Sequence, residues 1–191
     1  QASSSAASDV YKRQAERVAA VRAWLETNNL DAVIIPHEDE YLGEYVPAHN
    51  ERLHWLTGFT GSAGAAVITR DTAAIFVDGR YTVQVRKQVP AELFEYRHLI
   101  EEPALDWIIN SLPQGSKVAF DPRMHTAAWL KGAQAKLAEK VELTTLSANP
   151  IDELWSDRPE PVVSNVRLMA TDAVGQSLSL IHISEPTRQL Q

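Results

Sequence analysis

The 191 residues carry 18 Lys and Arg against 25 Asp and Glu, a formal net charge of −7, with 45 % apolar and 23 % charged residues and no cysteine. The composition is globular and sized for one domain plus part of a second; the acidic balance argues against a nucleic-acid binder, which needs a basic face, and the missing thiols exclude disulfide scaffolds, Cys-ligated zinc and thiol nucleophiles. A cysteine-free chain fits a reducing, cytoplasmic compartment, no apolar run approaches the roughly 20 residues that cross a bilayer, and no basic stretch followed by an apolar core marks a signal peptide.

In chain order, Val18, Val21, Trp24 and Leu25 recur at helical spacing, which predicts an amphipathic helix from Ala15 to Asn28. Ala32-Val33-Ile34-Ile35-Pro36 is a continuous apolar run and reads as a buried strand. A short helix is expected from Asn50, as its cap, to Leu56. A glycine-rich turn follows, Thr57-Gly58-Phe59-Thr60-Gly61-Ser62-Ala63-Gly64. Ala65–Thr69 and Ala73–Val77 read as a hairpin turning at Arg70-Asp71-Thr72. Asp78-Gly79 then leads into a helix from Arg80 to Val89. Strands are expected over 93–99, 117–121 and 141–146, and helices over 104–112 and 126–139, the latter capped by Thr126. Alternating strands and helices indicate an α/β fold, with a mixed β-sheet flanked by helices. Ser147-Ala148-Asn149-Pro150 reads as a linker. A short helix at Ile151–Trp155 and a proline-extended stretch at 157–162 lead toward the truncated start of a second, similar domain. With its partners missing, 147–177 is expected to be mobile, with Ile151, Leu154 and Trp155 exposed.

The two ends differ from the rest. Back-translation of Asp9–Gln14 and of Leu178–Ile183 yields stretches that are reverse complements over most of their length and resemble a transposase adapter from sequencing libraries. On that reading residues 1–14 and 178–191 are adapter-derived and disordered, residues 15–146 are the first domain, and 147–177 the linker and start of the second.

Four groupings could carry chemistry. His37-Glu38-Asp39-Glu40, with His49 and His54, has ligand types suited to zinc or manganese, but consecutive loop residues point apart, and a solvated acidic loop is the simpler reading. Gly58, Gly61 and Gly64 fit neither a P-loop nor a dinucleotide fingerprint; they suit a turn that needs positive φ or close approach. Ser62 lacks the strand–turn–helix elbow of a nucleophile. Asp78-Gly79-Arg80-Tyr81 follows an apolar strand, so Arg80 either grips a carboxylate or peptide carbonyl with parallel hydrogen bonds, or only shapes the turn through Asp78. Trp24, Trp55, Trp107 and Trp129 fall on helical faces and read as core.

Taken in order, Ala32–Pro36, Glu44-Tyr45-Val46-Pro47, Asn50-Glu51-Arg52-Leu53, Leu56–Gly64, Val77–Tyr81 and Leu154–Glu160 resemble the N-terminal region of three-domain Xaa-Pro aminopeptidases (aminopeptidase P) of the creatinase/prolidase superfamily. The resemblance implies a creatinase-type N-terminal domain that is non-catalytic by itself. It would shape access to the active site and contribute to subunit association in a homodimer. The peptidase domain, which removes the residue preceding a proline in second position, would lie elsewhere with two divalent metals, manganese in the usual case, so no metal ligand or catalytic residue is assigned to this chain. Arg80 maps onto the substrate-contacting arginine, with Phe59 and Tyr81 as further substrate-wall candidates. The alternative is a stand-alone creatinase-like ligand-binding module without peptidase activity.

Overall fold

The computed structural model describes residues 4–170, 172 and 173, with side chains from Val10 onward; the expectations for residues 178–191 lie outside the described residues. Six strands form one sheet: β1 (Ala32–Pro36), β2 (Gly64–Thr69), β3 (Ala73–Val77), β4 (Glu95–His98), β5 (Ser116–Phe120) and β6 (Val141–Thr145). Their spatial order is β4-β3-β2-β1-β5-β6. β2 runs antiparallel to both β1 and β3, while β1–β5, β3–β4 and β5–β6 pair in parallel. The hairpin therefore makes an otherwise parallel sheet mixed, as the sequence predicts.

The helices are α1 (Ser4–Thr27), α2 (Arg52–Thr57), α3 (Thr82–Gln88), α4 (Ala104–Ser111), α5 (Ala127–Leu137) and α6 (Pro150–Leu154). Strand side chains alternate between two apolar layers. Val33, Ile35, Ile68, Ile75 and Val77 pack with Val18, Val21 and Leu25 of α1, Leu53 and Leu56 of α2, Val85 of α3 and Ile151 of α6. Ile34, Val67, Phe76 and Phe120 pack with Trp107 and Ile108 of α4 and Leu137 of α5. Burial on both faces explains why β1 to β3 are unbroken apolar runs.

Three features differ from the sequence reading. α1 begins at Ser4, not Ala15. Residues 4–14 hold no Gly or Pro, and a helix propagates at little cost from a nucleated turn. Gln14 is buried and bonded to α2's last residue. Second, the compact unit runs on to Pro161 instead of ending at residue 146. Ile151 is fully buried, and Leu154 and Trp155 pack against the α1–α2 layer; Trp155 stacks on Trp55 with ring centroids 5.9 Å apart. Third, Asn50 does not cap α2. Its amide instead donates to Asp39 Oδ2 (3.1 Å), and its Oδ1 accepts from Arg158 (3.1 Å). The described residues 162–170 form no helix or strand.

Candidate functional site

Because β2 alone is reversed, the other five strands end at one edge of the sheet. The loops leaving β1, β3, β4, β5 and β6 meet there. In open α/β sheets this carboxyl edge is where ligands bind. The chemistry-bearing loops converge on it: His37–Glu40 after β1, Asp78–Tyr81 after β3, and Asp121–His125 after β5.

Asp78 caps a one-turn 3₁₀ helix, Gly79–Tyr81, and its Oδ1 accepts the Arg80 backbone N–H at 2.9 Å. The Arg80 side chain folds back on the same carboxylate, Nε at 3.2 and 3.0 Å from the two oxygens and Nη2 at 2.6 Å from Oδ2. These bonds hold the Asp78 carboxyl below its ordinary 3.8. The guanidinium is thus held side-on through Nε and Nη2. Its Nη1 makes no hydrogen bond to a described residue, and the side chain is 66 % exposed. Both alternatives read from the sequence meet in one residue: Arg80 shapes the turn, and its end-on fork is still free to take a carboxylate or peptide carbonyl.

Tyr81 flanks it. Arg80 lies over the Tyr81 ring, 5.2 Å from its centroid. The phenol exchanges a hydrogen bond with Ser62 Oγ (2.8 Å), which lowers the phenol's pKa from its ordinary 10.0. Phe59 stands edge-on to Tyr81 with centroids 5.4 Å apart. Phe59 is 1 % exposed, so it braces Tyr81 from the core instead of offering a broad ligand face. The three turn glycines serve the same spot. Gly58 takes φ +80 at the end of α2. A Cβ on Gly61 would overlap the Phe59 ring, and one on Gly64 would come within 2.9 Å of the Phe76 carbonyl oxygen. Close approach, not phosphate cradling, is their role.

Beside Ser62 is a polar cavity of about 260 Å³, lined by His37, Glu44, Tyr45, Glu51 and His54 among others. The acidic stretch after β1 disperses as expected of a loop. Asp39 is buried and accepts from Tyr41 N (3.0 Å) and Asn50, Glu40 pairs with Arg52 (3.5 Å), and His54 pairs with Glu51 (2.8 Å). Among the described residues no three His, Asp or Glu side chains come together as a metal-ligand set.

Sequence reasoning missed a second group. Asp121 and Arg123 after β5 form a pair like Asp78 and Arg80 (2.8 Å). Burial opposes ionisation of Asp121, but its bonds from Arg123 and Asn149 outweigh this and leave its carboxyl below 3.8. The shared Asp-x-Arg spacing after two apolar strands was the available signal. Arg52 is also buried, forked onto Asp152 at 2.7 and 3.0 Å.

The Creatinase/Prolidase N-terminal domain model matches residues 17–154. Human Xaa-Pro aminopeptidase 2 is 35 % identical over 144 residues, 75 % of this chain and 21 % of that protein. Drosophila melanogaster Xaa-Pro aminopeptidase ApepP is 37 % identical over 139 residues, 71 % of this chain and 23 % of that protein. The chain thus spans about a fifth of the length of these relatives. The X-prolyl aminopeptidase of Caenorhabditis elegans, described as a cytosolic enzyme with a di-nuclear active site, superposes with a TM-score of 0.78 at 25 % identity, covering 92 % of this chain and 31 % of that one. The N-terminal domain of PepQ from Mycobacterium tuberculosis shares the fold, with a TM-score of 0.56 at 23 % identity, covering 73 % of this chain and 98 % of that one. With most of its length matched and its sheet and helices accounted for, this chain belongs to the creatinase/prolidase N-terminal domain family.

Proposed function

We propose that this chain is the non-catalytic N-terminal part of a metal-dependent Xaa-Pro aminopeptidase, a cytoplasmic homodimer, and that its carboxyl edge grips the peptide downstream of the scissile bond. The two divalent metals, manganese in this reading, belong to a catalytic domain outside this sequence. The relatives' names and lengths support the parent activity, and the di-nuclear centre and cytosolic setting follow the C. elegans enzyme.

The observation that carries the reading is the state of Arg80. A free arginine loses side-chain entropy on binding. Asp78 has already ordered this one, and the end-on edge remains unspent. Such a preorganised fork suits a peptide carbonyl or a C-terminal carboxylate. Tyr81 forms the adjoining wall, and Phe59 fixes the angle of that wall from beneath.

Two measurements test this. The purified 191-residue chain should not hydrolyse a peptide with proline in second position, with or without manganese; turnover would overturn the non-catalytic assignment. The same peptide should shift the Arg80 Nε–Hε signal in an NMR titration, and an unmoved signal would count against the grip.

A further inference from the structure

The Arg80 arrangement occurs twice on this edge. β3 ends in Asp78-Gly79-Arg80, and β5 ends in Asp121-Pro122-Arg123. In each, the aspartate caps a 3₁₀ turn and Oδ1 accepts the arginine backbone N–H, at 2.9 and 3.0 Å. In each, Nε bonds to Oδ1, at 3.2 and 3.1 Å, and Nη2 to Oδ2, at 2.6 and 2.8 Å. One turn has glycine at its centre and the other proline, and the strands are separated by β2 and β1, so local sequence does not enforce the match. Capping needs only the aspartate. The guanidinium adds a second, outward fork in both places, and Arg123 is 49 % exposed.

Both forks border the loop after β1, with Glu44 within electrostatic reach of Arg80 and Glu40 of Arg123. Glu40 and Asp152, the acidic neighbours of Arg123, are both bonded to Arg52, which offsets their repulsion of an incoming anion. The strand register sets the spacing. Three inter-strand steps separate β3 from β5, and Asp78 stands three residues farther along the strand direction than Asp121. At about 4.8 Å per step and about 3.3 Å per residue, the two aspartates are roughly 15–20 Å apart. An extended peptide covers that in about five residues.

We propose that Arg123 is a second carboxylate-binding site, taking the C-terminal carboxylate of peptides that extend about five residues past Arg80. Arg80 then serves short and long peptides alike, while Arg123 confers a preference for longer ones with a free C-terminus. This rests on the reading of Arg80 as a peptide contact.

The test is a titration of the ¹⁵N-labelled 191-residue chain, following the arginine Nε–Hε signals. The probes are Ala-Pro-Ala, the octapeptide Ala-Pro-Gly-Ser-Gly-Ser-Gly-Ser with a free carboxylate, and its C-terminal amide. The tripeptide and the amide should shift Arg80 alone, and the free octapeptide both arginines. Arg123→Lys keeps the charge but loses the fork; it should weaken the free octapeptide at least fivefold, leave the tripeptide unchanged and keep the melting temperature. Arg123→Gln, with a thermal melt to verify folding, should give the same pattern. A shift at Arg80 without one at Arg123, or equal loss for acid and amide, overturns the second site alone. No shift at Arg80 with any peptide overturns the reading of Arg80 and, with it, the second site.

Discussion

The side-chain amide of Gln14, near the middle of α1, donates to the carbonyl oxygen of Thr57 at the end of α2, at 2.7 Å and out of solvent. The bond satisfies one of the orphan carbonyls at a helix end and ties the first helix to the glycine turn that carries Phe59. Deleting residues 1–14 should therefore lower stability by about 1–3 kcal/mol, from the lost bond and the shortened helix. Thermal unfolding checks it: a fall of several degrees is expected, whereas a detached tail would leave the midpoint in place.

The same amide occupies the space that a Cβ on Gly58 would need. Gly58→Ala should cost about 1–2 kcal/mol for the left-handed backbone alone, and more with Gln14 displaced. A double-mutant cycle separates the two contributions. In a Gln14→Ala background the cost of Gly58→Ala should shrink toward the backbone contribution; strict additivity would show that the amide and the glycine are not in contention.

Asp152 holds two guanidinia, Arg52 (2.7 and 3.0 Å) and Arg158 (3.0 Å). Asp152→Ala leaves the buried Arg52 with only Glu40, at a cost of about 2–3 kcal/mol. Asp106→Asn, which breaks the exposed pair with Lys136 (2.6 Å), should stay within about 0.5 kcal/mol. Urea unfolding of both variants checks the contrast. Equal effects would mean that α6 is not fastened to the body.

His125 stacks on Trp129, centroids 3.7 Å apart, and burial lowers its pKa from 6.5 to about 4. The folded state therefore binds its proton later than the unfolded state. Its contribution to stability is complete above pH 6.5 and declines as pH falls toward 4. After allowance for the partly exposed ring, about 1–2 kcal/mol should be lost between pH 7 and pH 5. His125→Gln should flatten that part of the stability profile. An unchanged slope would assign the loss to other groups.

Much of the fold was legible because burial on both faces leaves a simple imprint. β1, β2 and β3 are apolar runs, and the three residues between β2 and β3 can only turn. α1's early start was not legible, since Ser4 to Gln14 has no apolar stripe and its anchor is one polar side chain meeting a carbonyl 43 residues away. The docking of α6 was equally hidden: Ile151 and Trp155 look like exposed linker residues until α1 and α2 are brought beneath them. At the site, Asp78-Gly79-Arg80-Tyr81 was visible as a motif. Its division into a clamped side and an open end was not, nor was the burial of Phe59, because both depend on side-chain direction. Arg123 went unnoticed because its likeness to Arg80 lies in the hydrogen bonds that the shared spacing makes.

The most direct test of the central claim is the affinity of the 191-residue chain for a free-carboxylate Xaa-Pro peptide, measured by calorimetry for the natural chain and for Arg80→Lys. The lysine retains the charge but cannot present an end-on fork while held by Asp78. A loss of fivefold or more, with the melting temperature unchanged, is the expected result. Equal affinities would contradict the assignment of Arg80 as the peptide grip and leave its pair with Asp78 as turn architecture alone.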